Sequence, residues 1–142
     1  MKNILNYIKI NEQISTAGQP TKEQFKTITK EGFDVVINLA MHNKGALPKE
    51  DKIVSKNGMI YIHLPITWKS PELDRLELFL KLLEILEKEN KKVFIHCIKN
   101  HRVSVFMHVY KKTVWKEKNG LFISSTDYKP NKTWKRIIDD YR

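Results

Sequence analysis

The stretch Lys91 to Ser104, KKVFIHCIKNHRVS, constrains the fold more than any other. Two lysines and a short apolar run, Val93-Phe94-Ile95, lead to His96 and to Cys97, the only cysteine of the chain. Four residues separate Cys97 from Arg102, and Ser104 follows. Beyond them Val103, Phe106, Met107, Tyr110 and Val114 fall at i, i+3, i+4, i+7 and i+11, one face of a helix. The stretch therefore reads as buried strand, tight loop and helix, with a cysteine at the strand end and an arginine at the helix start.

That order of elements has a chemical meaning. Backbone N–H groups at a helix N-terminus have no intrahelical partner, and the helix dipole is positive there. A loop wrapped over that end makes an anion site, and a thiolate placed in it is stabilised. Arg102 can grip two oxygens of a tetrahedral anion at once. Nucleophile, cradle and bidentate cation together suggest attack of a thiolate on a phosphoryl or sulfur centre. A lone cysteine is more often a small buried hydrophobe, and a lone arginine a surface charge. The combination at one strand-to-helix switch favours the functional reading.

His96-Cys97 … Arg102 … Ser104 resembles the signature of the cysteine-dependent protein tyrosine and dual-specificity phosphatases: His-Cys, five residues, Arg, then Ser or Thr. A second patch agrees. Gly18-Gln19-Pro20-Thr21 … Phe25 … Gly32-Phe33 … Val36-Ile37-Asn38-Leu39 resembles the N-terminal part of a bacterial branch, the beta-lactamase-hydrolase-like phosphatases. The likeness covers roughly residues 13 to 110, and two patches in order are more specific than either alone. It implies a cysteinyl-phosphate mechanism with Cys97, Arg102 and Ser104 as catalytic residues. The loop residues Ile98, Lys99, Asn100 and His101 would hold the anion, and His96 would order the loop from its strand position. Ser104 would donate to the Cys97 thiolate, although a buried helix-start serine would look the same.

The loop departs from the main pattern, having four residues rather than five between cysteine and arginine. Cys-x4-Arg loops resemble those of the bacterial branch and also those of rhodanese sulfurtransferases, whose smaller loop carries a persulfide. Counting from Ser104 instead would put Val103 where the arginine should be. The favoured register keeps Arg102 facing the cradle, because a valine there would leave anion charge without a partner and Val103 already fits the apolar face of the helix.

The resemblance also implies an aspartate general acid, on a loop about 30 residues before the cysteine. Here that loop is Leu64-Pro65-Ile66-Thr67-Trp68-Lys69, with no Asp or Glu. Glu72 and Asp74 are near but better explained as first-turn helix residues. Asp127, in the tail, and His101, inside the cradle, are the other candidates, and Trp68 is a candidate wall of the pocket. Three readings stay open: a phosphatase of phosphate monoesters, with protein phosphotyrosine among the candidate substrates; a sulfurtransferase using a Cys97 persulfide; and a catalytically weak anion- or phosphoprotein-binding module.

At 142 residues the chain suits one phosphatase-like domain spanning residues 1–142. A single cysteine excludes an internal disulfide and fits a reducing compartment, so a cytoplasmic location is expected. No apolar run approaches the length of a membrane span. The five histidines are scattered without ligand spacing, so no metal and no other cofactor is expected. The net charge of +10 favours a phosphorylated substrate or other anion. Nucleic acid qualifies as an anionic partner but is not the favoured one, since the basic residues are spread along the chain rather than massed in one block. The oligomeric state is left open.

The expected architecture is α/β, a mainly parallel central sheet of four to five strands with helices on both faces. Tyr7–Ile10 and Ile14–Thr16 read as an antiparallel pair. Thr21 to Gln24 is a capping box opening a helix that stops at Gly32. Strands are expected at Phe33–Leu39, Met59–Leu64 and Lys92–His96, and a short helix within Pro48–Lys56. Ser70 is the expected cap of a long helix with Pro71 first, running to about Asn90. The helix after the Cys loop should reach about Lys118, and Leu121–Asp127 is loop or a short edge strand. Asn131 should cap a final helix presenting Trp134, Ile137, Ile138 and Tyr141.

Overall fold

In the computed structural model, which describes residues 1–118, 120–124 and 128–141, strands and helices alternate along most of the chain. They are β1 (Ile8–Lys9), β2 (Ile14–Ala17), α1 (Lys22–Lys30), β3 (Val35–Asn38), α2 (Glu50–Lys56), β4 (Ile60–His63), α3 (Leu73–Lys88), β5 (Val93–His96), α4 (His101–Thr113) and α5 (Lys132–Asp140). The five strands form one sheet in the order β1-β2-β5-β3-β4. β1 runs antiparallel to β2, and every other pair is parallel. This is the mainly parallel sheet that the alternation of apolar runs and amphipathic stretches predicts.

The period of two along each strand divides the core into two layers. Val35, Ile37, Val93 and Ile95 point to the face covered by α3, α4 and α5, where Leu76, Phe79, Phe106, Tyr110 and Trp134 fill the interior. Val36 and Phe94 point to the other face, against Phe25, Ile28 and Val54 of α1 and α2. β5 lies between β2 and β3, with Val93 to His96 fully buried. A strand buried on both faces needs the continuous apolar run seen before Cys97. α4 is buried from Arg102 to Tyr110, not only along the face traced by Val103, Phe106, Met107 and Tyr110. It is therefore the central helix of its layer rather than a surface helix.

Local signals set most helix ends. Thr21 accepts from Gln24 N while Gln24 Oε1 accepts from Thr21 N, closing the capping box. α1 then gives way to Gly32 at φ +89°. Asn131 Oδ1 accepts from Trp134 N at 3.1 Å and opens α5, which buries Trp134 and Ile137.

Two helix ends differ from expectation. α3 starts at Leu73 rather than at Pro71, because Glu72 stays extended and its carboxylate accepts from Thr67 N (2.9 Å) and Thr67 Oγ1 (2.6 Å). Ser70 is thereby left outside the helix. α4 ends at Thr113 rather than near Lys118. Trp115 donates from its indole to Glu87 of α3 at 2.9 Å, and Lys116 takes a left-handed φ of +56°. Leu121 to Ser124 has no regular structure. Asp127 lies outside the described residues.

Candidate active site

The parallel strands end side by side, with His96 in register with Ala17 of β2 and Asn38 of β3. At such carboxyl ends an α/β sheet leaves room for a ligand. Cys97 follows β5 directly and its N–H donates to Ala17 O at 3.4 Å. Residues 98–100 turn the chain into α4, and Asn100 completes the turn at φ +67°. Asparagine tolerates that left-handed conformation better than most residues. The first N–H to join the helical ladder is that of Ser104, onto Asn100 O at 3.0 Å. The N–H groups before it are outside the ladder, as an anion cradle requires.

The loop is braced from behind by the N-terminal segment. Asn100 Nδ2 donates to Asn6 O (2.8 Å) and Thr16 Oγ1 (3.1 Å), while Asn6 Nδ2 donates to Lys99 O (2.9 Å). Gln19 N donates to Ile98 O at 2.9 Å. Gly18 lies so close that a β-carbon there would stand 2.5 Å from Ile98 O. The Gly18-Gln19 pair is thus part of the loop's support, which gives a physical reason for its place in the N-terminal patch. Ser104 Oγ donates to Asn100 O at 2.6 Å. Its hydroxyl is committed to the loop backbone rather than to the Cys97 sulfur.

His96 sits fully buried beneath Cys97. Its Nδ1 is 2.9 Å from Cys97 O and its Nε2 is 2.7 Å from Glu50 Oε2. Glu50, at the start of α2, also accepts from Gln19 Nε2 at 2.6 Å. The loop-ordering role expected of His96 thus has a geometric counterpart, and it includes a carboxylate that sequence reading did not single out. The pair is separated by 46 residues, so no local pattern announces it. The only hint is an acidic residue in the first turn of a short helix.

Cys97, Ile98, Lys99, His101, Arg102, Trp68, Asn43 and Lys44 line one cleft of about 450 Å³. Arg102 is 9 % exposed, and its Nε has no hydrogen-bond partner among the described residues. Its guanidinium lies 5.7 Å from the centre of the Trp68 ring. Val103, the next residue, is fully buried in the core. Arg102 thus belongs to the cleft and Val103 to the interior. Trp68 is held by Trp134, which stacks on it at 5.1 Å and donates to its carbonyl at 2.8 Å. His101 stacks on Tyr128, the rings parallel within 5° and 3.9 Å apart. Burial pushes the His101 pKa down, and the nearby charges of Lys99 and Arg102 push it further the same way. Burial pushes Tyr128 up to about 12.

No carboxylate among the described residues lines this cleft. Glu72 is held by Thr67. Burial alone would raise its pKa, but hydrogen bonds from the Thr67 side chain and backbone outweigh that and keep it below the ordinary carboxylate range. It ties down the 64–69 loop as an anion, and Asp74, exposed in the first turn of α3, lies outside the cleft lining.

A family model described as a polymorphic toxin system, DSP-PTPase phosphatase, matches residues 12–102. Among solved structures, a Shewanella putrefaciens CN-32 protein of the DUF442 group, described as a phosphatase, superposes with a TM-score of 0.87 at 26% identity. That match covers 99% of this chain and 93% of the other. Tk-PTP in its active form matches with a TM-score of 0.71 and 19% identity, over 96% of this chain and 82% of that one. PTPMT1 in complex with PI(5)P gives 0.79 and 14%, over 96% and 94%. The last two show a shared fold. Among curated proteins, no sequence matches the chain.

Proposed function

Because the chain belongs to the dual-specificity and tyrosine phosphatase family of polymorphic toxin systems, and is therefore a cysteine-dependent phosphatase, we propose that Cys97 is its nucleophile. The Cys97 thiolate attacks phosphorus and forms the S–P bond as the ester P–O bond breaks. The leaving alkoxide takes a proton from solvent water and departs as the alcohol. Water then attacks the cysteinyl-phosphate, releasing inorganic phosphate and restoring the thiolate. The N–H groups of residues 98–102 hold the equatorial oxygens, with the Arg102 fork across two of them.

The observation that carries this reading is Arg102. An arginine nine-tenths buried whose Nε finds no partner among the described residues is costly unless an anion completes it. It lines the same cleft as Cys97. The substrate is a phosphate monoester, and Lys44 and Lys99 at the cleft add attraction for its charge. His101, its pKa depressed, is largely neutral at pH 7 and serves as a hydrogen-bond donor rather than as the acid. The free thiol fits a reducing compartment, hence the cytoplasm.

The test is hydrolysis of an aryl phosphate, whose good leaving group needs little help from an acid. Cys97→Ser should abolish turnover and leave the melting temperature near that of the wild type. Equal turnover in the two proteins would remove Cys97 as nucleophile.

A further inference from the structure

Glu50 is a buried carboxylate that the reaction as drawn does not use. It is 5 % exposed and lies at the start of α2. Burying such a charge is unfavourable unless it is paired and hydrogen-bonded. Glu50 has both kinds of partner, Gln19 Nε2 at 2.6 Å on Oε1 and His96 Nε2 at 2.7 Å on Oε2.

The proton count follows from the partners. Cys97 O is a carbonyl and can only accept, so His96 Nδ1 carries a proton. Glu50, as a carboxylate, also only accepts, so Nε2 carries the second. Gln19 donates to the other carboxylate oxygen, which leaves Oε2 to face the ring. The ring is thus bonded at both nitrogens, through Nε2 to Glu50 and through Nδ1–H to the carbonyl of the residue that attacks. Its orientation is fixed at both nitrogens, with the Phe25 ring packed edge-to-face with it at 6.1 Å between centroids.

We propose that Glu50 is a positioning residue of the phosphatase, acting through His96: it keeps both ring nitrogens protonated, so that Cys97 O is held back and Cys97 Sγ and the loop N–H groups face the cleft. This rests on Cys97 being the nucleophile. Gln19 completes the device by binding both ends of the arrangement, Glu50 through its side chain and Ile98 O through its backbone. A mechanical link therefore runs from the short helix α2 to the loop.

Three measurements on the full chain test the proposal, with Cys97→Ser as the blank. In nitrogen-15-labelled wild type, His96 should show two slowly exchanging ring N–H protons, and Glu50→Gln should lose the one on Nε2. Glu50→Gln should lower kcat/KM for an aryl phosphate by about tenfold to a hundredfold, the range for a hydrogen bond to a charged group. In a His96→Asn background, adding Glu50→Gln should change kcat/KM no further. A Glu50→Gln enzyme with wild-type kcat/KM would overturn the proposal, as would an equal loss in both backgrounds. Should the variant not fold, a single ring N–H on His96 in wild type would overturn it. Wild-type turnover no better than the blank would instead sink the nucleophile assignment, and the proton count on His96 would still be read independently.

Discussion

Replacing Gly18 by alanine adds one methyl group at the point where the N-terminal patch meets the Cys97 loop. The new carbon would stand 2.5 Å from Ile98 O, whereas ordinary van der Waals contact begins near 3.4 Å. One of the two backbones must move by about 0.9 Å to relieve the overlap. Ile98 O is also the acceptor of Gln19 N, and Gly18 N donates to Leu5 O at 2.7 Å, so neither side yields freely. Overpacking of this kind costs about 1–3 kcal/mol of stability. The larger effect should fall on the chemistry, since a displacement near 1 Å in a reacting constellation costs roughly a hundredfold in rate. The assay is kcat/KM on an aryl phosphate together with the melting temperature. Gly58→Ala is the control. Its φ of +85° strains an alanine, but open space surrounds it, so it should lose stability with no change in kcat/KM. A Gly18→Ala protein with native kcat/KM would refute the claim that this contact sets the loop's position.

Arg102→Lys should bind inorganic phosphate far more weakly, since a single ammonium cannot replace the bidentate fork; native affinity in a calorimetric titration would mean the cleft does not use the guanidinium. Val103→Ala, in the core beside it, should instead leave phosphate affinity alone and lower stability by about 1–3 kcal/mol, read as a drop in melting temperature. Acid should destabilise the fold through His108, whose pKa is lowered by burial and then by Lys112 and Lys111. Below its ordinary 6.5 the unfolded chain takes up a proton that the folded chain resists. The melting temperature should therefore fall from about pH 7.5 to about pH 5.5, and less steeply in His108→Gln; equal slopes would count against it.

The parts of the fold that could be read from the chain are those written in neighbouring residues. The Thr21–Gln24 box, the Asn131 cap and the apolar run before Cys97 each act within a few positions, and each element stands where its signal lies. The errors at α3 and α4 have one cause. Ser70-Pro71 is a good local start, yet Thr67 competes for Glu72 and delays the helix. Trp115 fits a continuing helix until its indole finds Glu87, far away in sequence. The site divides in the same way. Cys97, Arg102 and the loop lie in one short stretch and were visible there. Glu50, by contrast, meets His96 only when α2 packs against β4 and α1, and Asn100 finds its partners only when Asn6 and Thr16 close behind it.

The position of β5 has a consequence for how the protein is made. Among the described residues it is the last strand in sequence but the middle one in the sheet, where Val93 pairs with Ile14 on one side and Val35 on the other. Until it emerges from the ribosome, β2 and β3 have a gap between them, and neither core layer can close. Such non-local pairing is slow because the loop must close before the contacts repay it. The Cys97 loop is carried on that strand, so on the proposed reading of the loop as an anion cradle a chain that has not completed the insertion has no place to hold a phosphate. Binding an oxyanion thus selects finished molecules. Phosphate in the refolding buffer should raise the yield of native protein by mass action on the last step alone.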